Sequence, residues 1–260
     1  MLKIFDALFH IIDYKYTVVE NQGYKPPQFL PIDYLKIMSG FELLGGVIVS
    51  GSFQNYDTQY LKSALSILGS NYIGVINYNP SYTDKDILDL NKIGVRAIRF
   101  NIRRGNQDII DYIEYASKRV FDIAKWHSEI YIDSKNISNI KNKLLNIPLL
   151  VIDHFGLSKE GFRHVLDLTE KGAYVKASGF GRLDFDPIWA IKQINKINQH
   201  ACCFGSDLPS TRAQRPFSLK DIDLINDNFD ESQSKKIFYE NALKLYKVNK
   251  RRSFADVQDY

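Results

Sequence analysis

The chain carries only two cysteines in 260 residues, the adjacent Cys202 and Cys203. Successive strand side chains point to opposite faces, so this pair neither bridges easily nor supplies a metal quartet. Reduced structural thiols are expected, which fits a cytoplasmic setting. No apolar run approaches the roughly 20 residues that cross a bilayer, and residues 1–6 show no signal-peptide pattern, so no membrane partner is expected. Inside the body of the chain no Lys/Arg block exceeds two residues, and the net charge is only +4. That leaves no footprint for nucleic acid. A modest positive excess favours an anionic small molecule instead. No Gly-rich fingerprint follows the first apolar run, which argues against a dinucleotide site.

What is present is an ordinary globular composition, 45% hydrophobic and 25% charged, on a chain long enough for one large α/β domain. Short apolar runs alternate with longer amphipathic ones. Strands are expected at residues 2–5, 46–49, 72–76, 95–100, 129–132, 148–152, 173–176 and 201–204. Helices are expected over 33–44, 56–68, 84–92, 108–125, 137–145, 159–170 and 187–198, with two more near 219–226 and 231–246. The Pro26-Pro27 pair keeps the stretch after the first strand in a loop. Eight strands, each followed by a helix or loop, predict an α/β fold of the (β/α)8 TIM-barrel type. A doubly wound sheet would need fewer strands. One domain is expected over residues 1–248, with extra C-terminal helices, and a polar tail over 249–260 that adds little to the fold.

In a barrel the strand C-termini converge on one mouth. Here they present His10, Ser52, Arg99, Tyr131, the Asp153-His154 pair, Arg182 and Asp207. Each has a plain structural explanation when taken singly. Asp207 after Gly205-Ser206 reads as a turn residue or helix cap. Arg96 and Arg99 lie three apart, so only one of them can face the mouth. Lys176 reads as a paired interior charge, His127 as the cap of the preceding helix, His164 as solvent-facing, and His200 as lying at the far end of the barrel. It is the convergence of so many polar strand ends that points to a site.

Four motifs in order carry a resemblance: Phe5-Asp6-Ala7-Leu8-Phe9-His10, Gly94-Val95-Arg96-Ala97-Ile98-Arg99-Phe100-Asn101, Ile152-Asp153-His154-Phe155-Gly156 and Gly205-Ser206-Asp207-Leu208-Pro209. Together they resemble the amidohydrolase superfamily, in the branch of 2-pyrone-4,6-dicarboxylate lactonase and the sugar-acid lactonases. The family's first-strand motif is His-x-His, and here Leu8 stands in the first position. The resemblance implies a hydrolase that opens a carboxylated lactone. Asp207 would activate water, and His10, His154 and Tyr131 would meet the developing oxyanion. It also implies Arg99 and Arg182 as carboxylate binders, with Tyr24 and Ser52 as further substrate contacts and Arg104, Arg212 and Arg215 on an anion-attracting rim. Partial burial is expected to raise the basicity of Asp207.

With Leu8 unable to ligate, the resemblance implies no metal. If a zinc or manganese ion bound, its ligands would be His10, His154 and Asp207. The same superfamily allows a metal-dependent sugar lactonase or a decarboxylase, and the loss at Leu8 also allows a barrel that only binds a carboxylate. Barrels of this type often pair, so a homodimer is among the expectations.

Overall fold

The computed structural model describes residues 1–105 and 108–248, and the tail expected over 249–260 lies outside the described residues. Strand β1 (Lys3–Phe9) opens the chain, and after the proline-bearing loop come α1 (Pro31–Ile37) and β2 (Glu42–Val49). The alternation continues through α2 (Gln59–Leu68), β3 (Tyr72–Asn77), α3 (Asp84–Lys92), β4 (Val95–Asn101) and α4 (Ile109–Ala124). The second half adds β5 (His127–Tyr131), α5 (Ile137–Leu145), β6 (Leu150–Ile152), α6 (Phe162–Glu170), β7 (Tyr174–Ala177), α7 (Pro187–Ile197) and β8 (Cys202–Phe204). The eight strands form one parallel sheet in sequence order, the (β/α)8 barrel that the alternation predicts. Their Val, Ile and aromatic residues are buried on both faces, as a parallel sheet wrapped in helices requires.

Two expectations are corrected. Residues 42–44 belong to β2 rather than to a helix over 33–44, because Glu42 and Leu43 pair with Lys3 and Ile4 of β1 while α1 stops at Ile37. His127 does not cap α4. It is the first residue of β5, buried, and its ring faces Glu129, its neighbour on the same side of the strand.

The barrel closes in a particular way. No ladder joins β8 to β1 among the described residues; the loops beyond them are stitched together instead. Asp207 N donates to Leu8 O at 2.7 Å, His10 N to Leu208 O at 2.7 Å, and Ser206 N to Asp6 Oδ1 at 2.9 Å. At Gly205 a Cβ would sit 2.8 Å from Leu8 Cβ and 2.9 Å from Leu8 N, so only glycine allows this approach. Asp6 is fully buried in the seam, and burial pushes its carboxyl pKa up to about 6 against the opposing hydrogen bonds. The opposite end of the barrel is sealed by a C-terminal helical run (Glu231–Lys235, a π turn over Lys236–Glu240, and Asn241–Leu245), whose following residue Tyr246 reaches inside to Glu129.

Candidate active site

Asp207 stands where the seam meets the mouth, 1% exposed and with φ at +60°, a left-handed backbone unusual for a residue with a side chain. Its Oδ2 accepts from Arg182 Nε at 2.6 Å. Its Oδ1 is buried and has no hydrogen-bond partner, yet His10 Nε2 lies 3.7 Å away and His154 Nε2 3.8 Å away. Three polar atoms thus surround a gap that none of them fills.

Each neighbour is held from behind. His10 Nδ1 donates to Val49 O at 2.7 Å, so the proton is fixed on that nitrogen and a neutral ring offers a lone pair at Nε2. His154 sits beyond β6 in left-handed backbone (φ 49°), with its Nδ1 2.9 Å from Ser178 Oγ. Burial drives its pKa down to about 4, against the pull of Asp207, so the ring is neutral at pH 7. Arg182 also donates from Nη2 to Thr211 O at 2.8 Å. Behind both residues is Gly179, where a Cβ would lie 2.7 Å from His154 Nδ1 and 2.9 Å from Arg182 Cδ.

Burial alone would raise the Asp207 pKa. The Arg182 guanidinium outweighs it and holds the carboxyl well below the usual carboxylate range. The expectation of raised basicity is therefore overturned: a buried acid beside a guanidinium behaves as half of an ion pair.

Ten of the eleven side chains singled out in the sequence line one cavity: His10, Tyr24, Ser52, Arg99, Arg104, Tyr131, His154, Arg182, Asp207 and Arg212. Gly51, Phe53, Asn101 and Thr211 complete the wall. Of these, Asn101 is the polar last residue of β4 and so carries the same strand-end signal as the others; Phe53 and Thr211 lie between strands, on segments whose course no pattern in the sequence reveals. Arg215 does not belong here, because it is spent on Asp221 at 2.8 and 3.1 Å. Arg96 turns outward to Asn91, leaving Arg99 as the inward member of its pair.

Arg99 is held by Asp153 Oδ2 at 2.8 Å and Ser50 O at 3.2 Å, and stacks over the Tyr131 ring at 5.0 Å. Arg212 lies over Tyr24, its Cζ 4.7 Å from the ring centroid, and donates to the Asn21 carbonyl. Burial and the nearby Arg104 charge hold the Arg212 pKa below its ordinary value. The lining thus carries four guanidinium groups against the one carboxylate of Asp207, an imbalance suited to an anion.

A divalent metal fits this donor set poorly. Leu8 supplies no lone pair where a fourth ligand would stand, and a guanidinium already occupies one oxygen of the only carboxylate. Among the described residues no group of three His, Cys, Asp or Glu side chains is placed to hold a metal ion. A water, which can donate two hydrogen bonds and accept others, suits the gap at Asp207 Oδ1 better.

Comparison with known proteins agrees with this picture. The family model described as Amidohydrolase matches residues 5–248. The 4-sulfomuconolactone hydrolase of Hydrogenophaga intermedia is 23% identical over 276 residues, covering 93% of this chain and 88% of that protein. A probable 2-pyrone-4,6-dicarboxylic acid hydrolase of Acinetobacter baumannii, solved with citric acid bound, superposes with a TM-score of 0.77 at 21% identity, covering 94% of this chain and 99% of that one. An apo structure from Agrobacterium tumefaciens gives a TM-score of 0.81 at 17% identity, with 96% and 97% covered. At these identities the solved structures show likeness of fold.

Proposed function

The chain belongs to the amidohydrolase family, and from that premise we propose that it hydrolyses a carboxylated lactone with a water activated at Asp207 and no metal. The observation that carries this reading is the cavity itself: four arginines around one buried carboxylate whose Oδ1 has no partner. The lactone-hydrolase names of the relative from Hydrogenophaga intermedia and the neighbour from Acinetobacter baumannii support the reaction class.

In this mechanism a water sits between Asp207 Oδ1 and the two imidazole Nε2 atoms. His10, whose Nδ1 is held by Val49 O, accepts one of its hydrogens at Nε2 and so aims the water's lone pair. Asp207 takes the other as the oxygen attacks the lactone carbonyl. His154, in the tautomer where Ser178 donates to Nδ1, meets the carbonyl oxygen with Nε2–H, and the Tyr131 hydroxyl adds a second donor. The tetrahedral intermediate then expels the ring oxygen, which recovers the proton from Asp207 to give the open hydroxy acid. Arg99, Arg104 and Arg212 hold the substrate carboxylates, a task for which the planar guanidinium fork is suited. Arg182 has two duties that compete. Paired with Asp207 it keeps the base ionised but weak, and a substrate carboxylate that draws off part of that guanidinium raises the basicity of Asp207 when the lactone is in place.

The test is turnover of matched lactones, with and without ring carboxylates, by protein stripped with a chelator. The carboxylated lactones are expected to open at an undiminished rate, with the hydroxy acid as product. Loss of activity on chelation with recovery on zinc or manganese would overturn the metal-free mechanism. Faster turnover of the neutral rings, or release of carbon dioxide, would overturn the substrate class or the reaction.

A further inference from the structure

The reaction cavity is small, about 30 Å³, but it does not stand alone. A second cleft of about 500 Å³ opens beside it over the ends of β2, β3 and β4, and Ser52, Arg99 and Asn101 line both. That volume is of the size that small-molecule sites occupy. The two spaces differ sharply in character. Among the described residues, Arg99 at the junction and Asp108 are the charged side chains in the lining of the second cleft.

Its walls are aromatic and neutral. Tyr56 and Tyr112 line the cleft and stand 47% and 53% exposed, while Tyr78 and Ile109 form its deeper part. Asn77 is fixed in orientation, because its Nδ2 donates to both Gly51 O at 2.9 Å and Asn55 O at 2.8 Å. The cleft is therefore anchored to the same Gly51-Ser52 turn that borders the reaction cavity. Exposed tyrosine rings offer flat apolar contact at low entropic cost, and together they favour a ring over a chain or a charge.

We propose that this cleft is a second substrate subsite, holding a neutral ring-sized substituent of the lactone while the carboxylated ring lies at Asp207. Arg99 marks the joint between the two parts: its Nε is committed to Asp153, and it borders both the space for the anion and the space for the neutral ring. The inference rests on the lactone-hydrolase reading and narrows the substrate to an anionic lactone with an uncharged cyclic extension.

The test compares a carboxylated lactone with its phenyl derivatives, substituted at each open ring position in turn, and with derivatives bearing a carboxymethyl group instead. For the unaltered enzyme kcat/KM should rise about tenfold for at least one phenyl isomer and not for its carboxymethyl counterpart, the gain expected from stacking on a tyrosine. In a Tyr56→Ala, Tyr112→Ala double variant that gain should vanish, while the bare lactone keeps its rate within about twofold. No gain from any phenyl isomer, or an equal loss on bare and phenyl substrates in the variant, would overturn the subsite. Should no lactone open at all, the lactonase reading fails separately. The subsite is then decided by calorimetry with phenyl-substituted and unsubstituted acyclic dicarboxylates: tighter phenyl binding that the double variant loses supports it, and equal binding overturns it.

Discussion

Two buried carboxylates, Glu129 and Asp207, differ in how their oxygens are partnered. Glu129, near the sealed end, has both oxygens satisfied: Oε2 meets Lys176 at 2.5 Å, and Oε1 takes the Tyr246 hydroxyl at 2.7 Å and His127 at 3.2 Å. Asp207, at the mouth, has one oxygen paired and one left without a partner. Both are essentially unexposed, and in both a cation overcomes the cost of burial and keeps the acid ionised. The Glu129 cluster is a finished network that pins strands to the C-terminal helix. The Asp207 cluster pairs one oxygen with Arg182 and turns the other toward His10 and His154 at the mouth, where the proposed mechanism sets the reacting water.

Exchange of the charges should separate the two roles. Asp207→Asn retains an oxygen for Arg182 but loses the base, and kcat on a carboxylated lactone should fall by up to about 10⁴-fold with the circular dichroism spectrum unchanged. Glu129→Gln leaves the Lys176 ammonium facing an amide, and chemical denaturation should show a loss of about 3–5 kcal/mol while the folded fraction keeps its turnover. If Glu129→Gln cut kcat without touching stability, the contrast would collapse.

The seam provides a third comparison, since Asp6 is a buried acid with no cation to pay for it. Its folded pKa of about 6 lies above the ordinary 3.8, so the proton is held more tightly in the fold than in the unfolded chain. The stability this confers is complete below pH 3.8 and disappears as pH rises through about 6. Asp6→Asn should therefore gain about 3 kcal/mol on the parent between pH 4 and pH 7, read as the difference of urea unfolding curves at the two pH values. A constant difference across that range would show that Asp6 is ionised at no cost. The smallest effect is expected at Gly179→Ala, where the added methyl displaces His154 and Arg182 without removing either. Turnover should drop about 10- to 100-fold, with KM affected less than kcat. Unchanged turnover would mean that the mouth tolerates displacement as the lower cluster does not.

Strand count, strand order and the mouth residues were legible because a parallel barrel writes each strand as an apolar run and puts polar residues just past its end. His10, Asp153-His154 and Asp207 all follow that rule. The boundaries near residue 42 and the place of His127 were not legible, for a related reason. A barrel strand with charged residues facing inward breaks the apolar run, so His127 reads as the polar end of a helix until Glu129, Lys176 and Tyr246 are seen across the interior. Lowered basicity at Asp207 was hidden too, since it depends on Arg182 reaching back from another strand end. The neutral second cleft is likewise assembled from Tyr56, Tyr78 and Tyr112, three tyrosines on separate segments that no spacing connects.

The stitch between Leu8 and Asp207 has a consequence for the order in which the molecule comes into being. The residues that flank the water gap come from both ends of the chain, His10 from the start and Asp207 from the last strand. A ribosome-bound chain that has not yet emerged past Phe204 lacks the partners that join β1 to the last strand end, so the barrel cannot close in this way before then. Circular permutation supplies the same lesson in reverse. New termini cut into an outer helix leave the stitch intact, whereas termini placed at the seam would break both the barrel closure and the setting of Asp207 with a single cut.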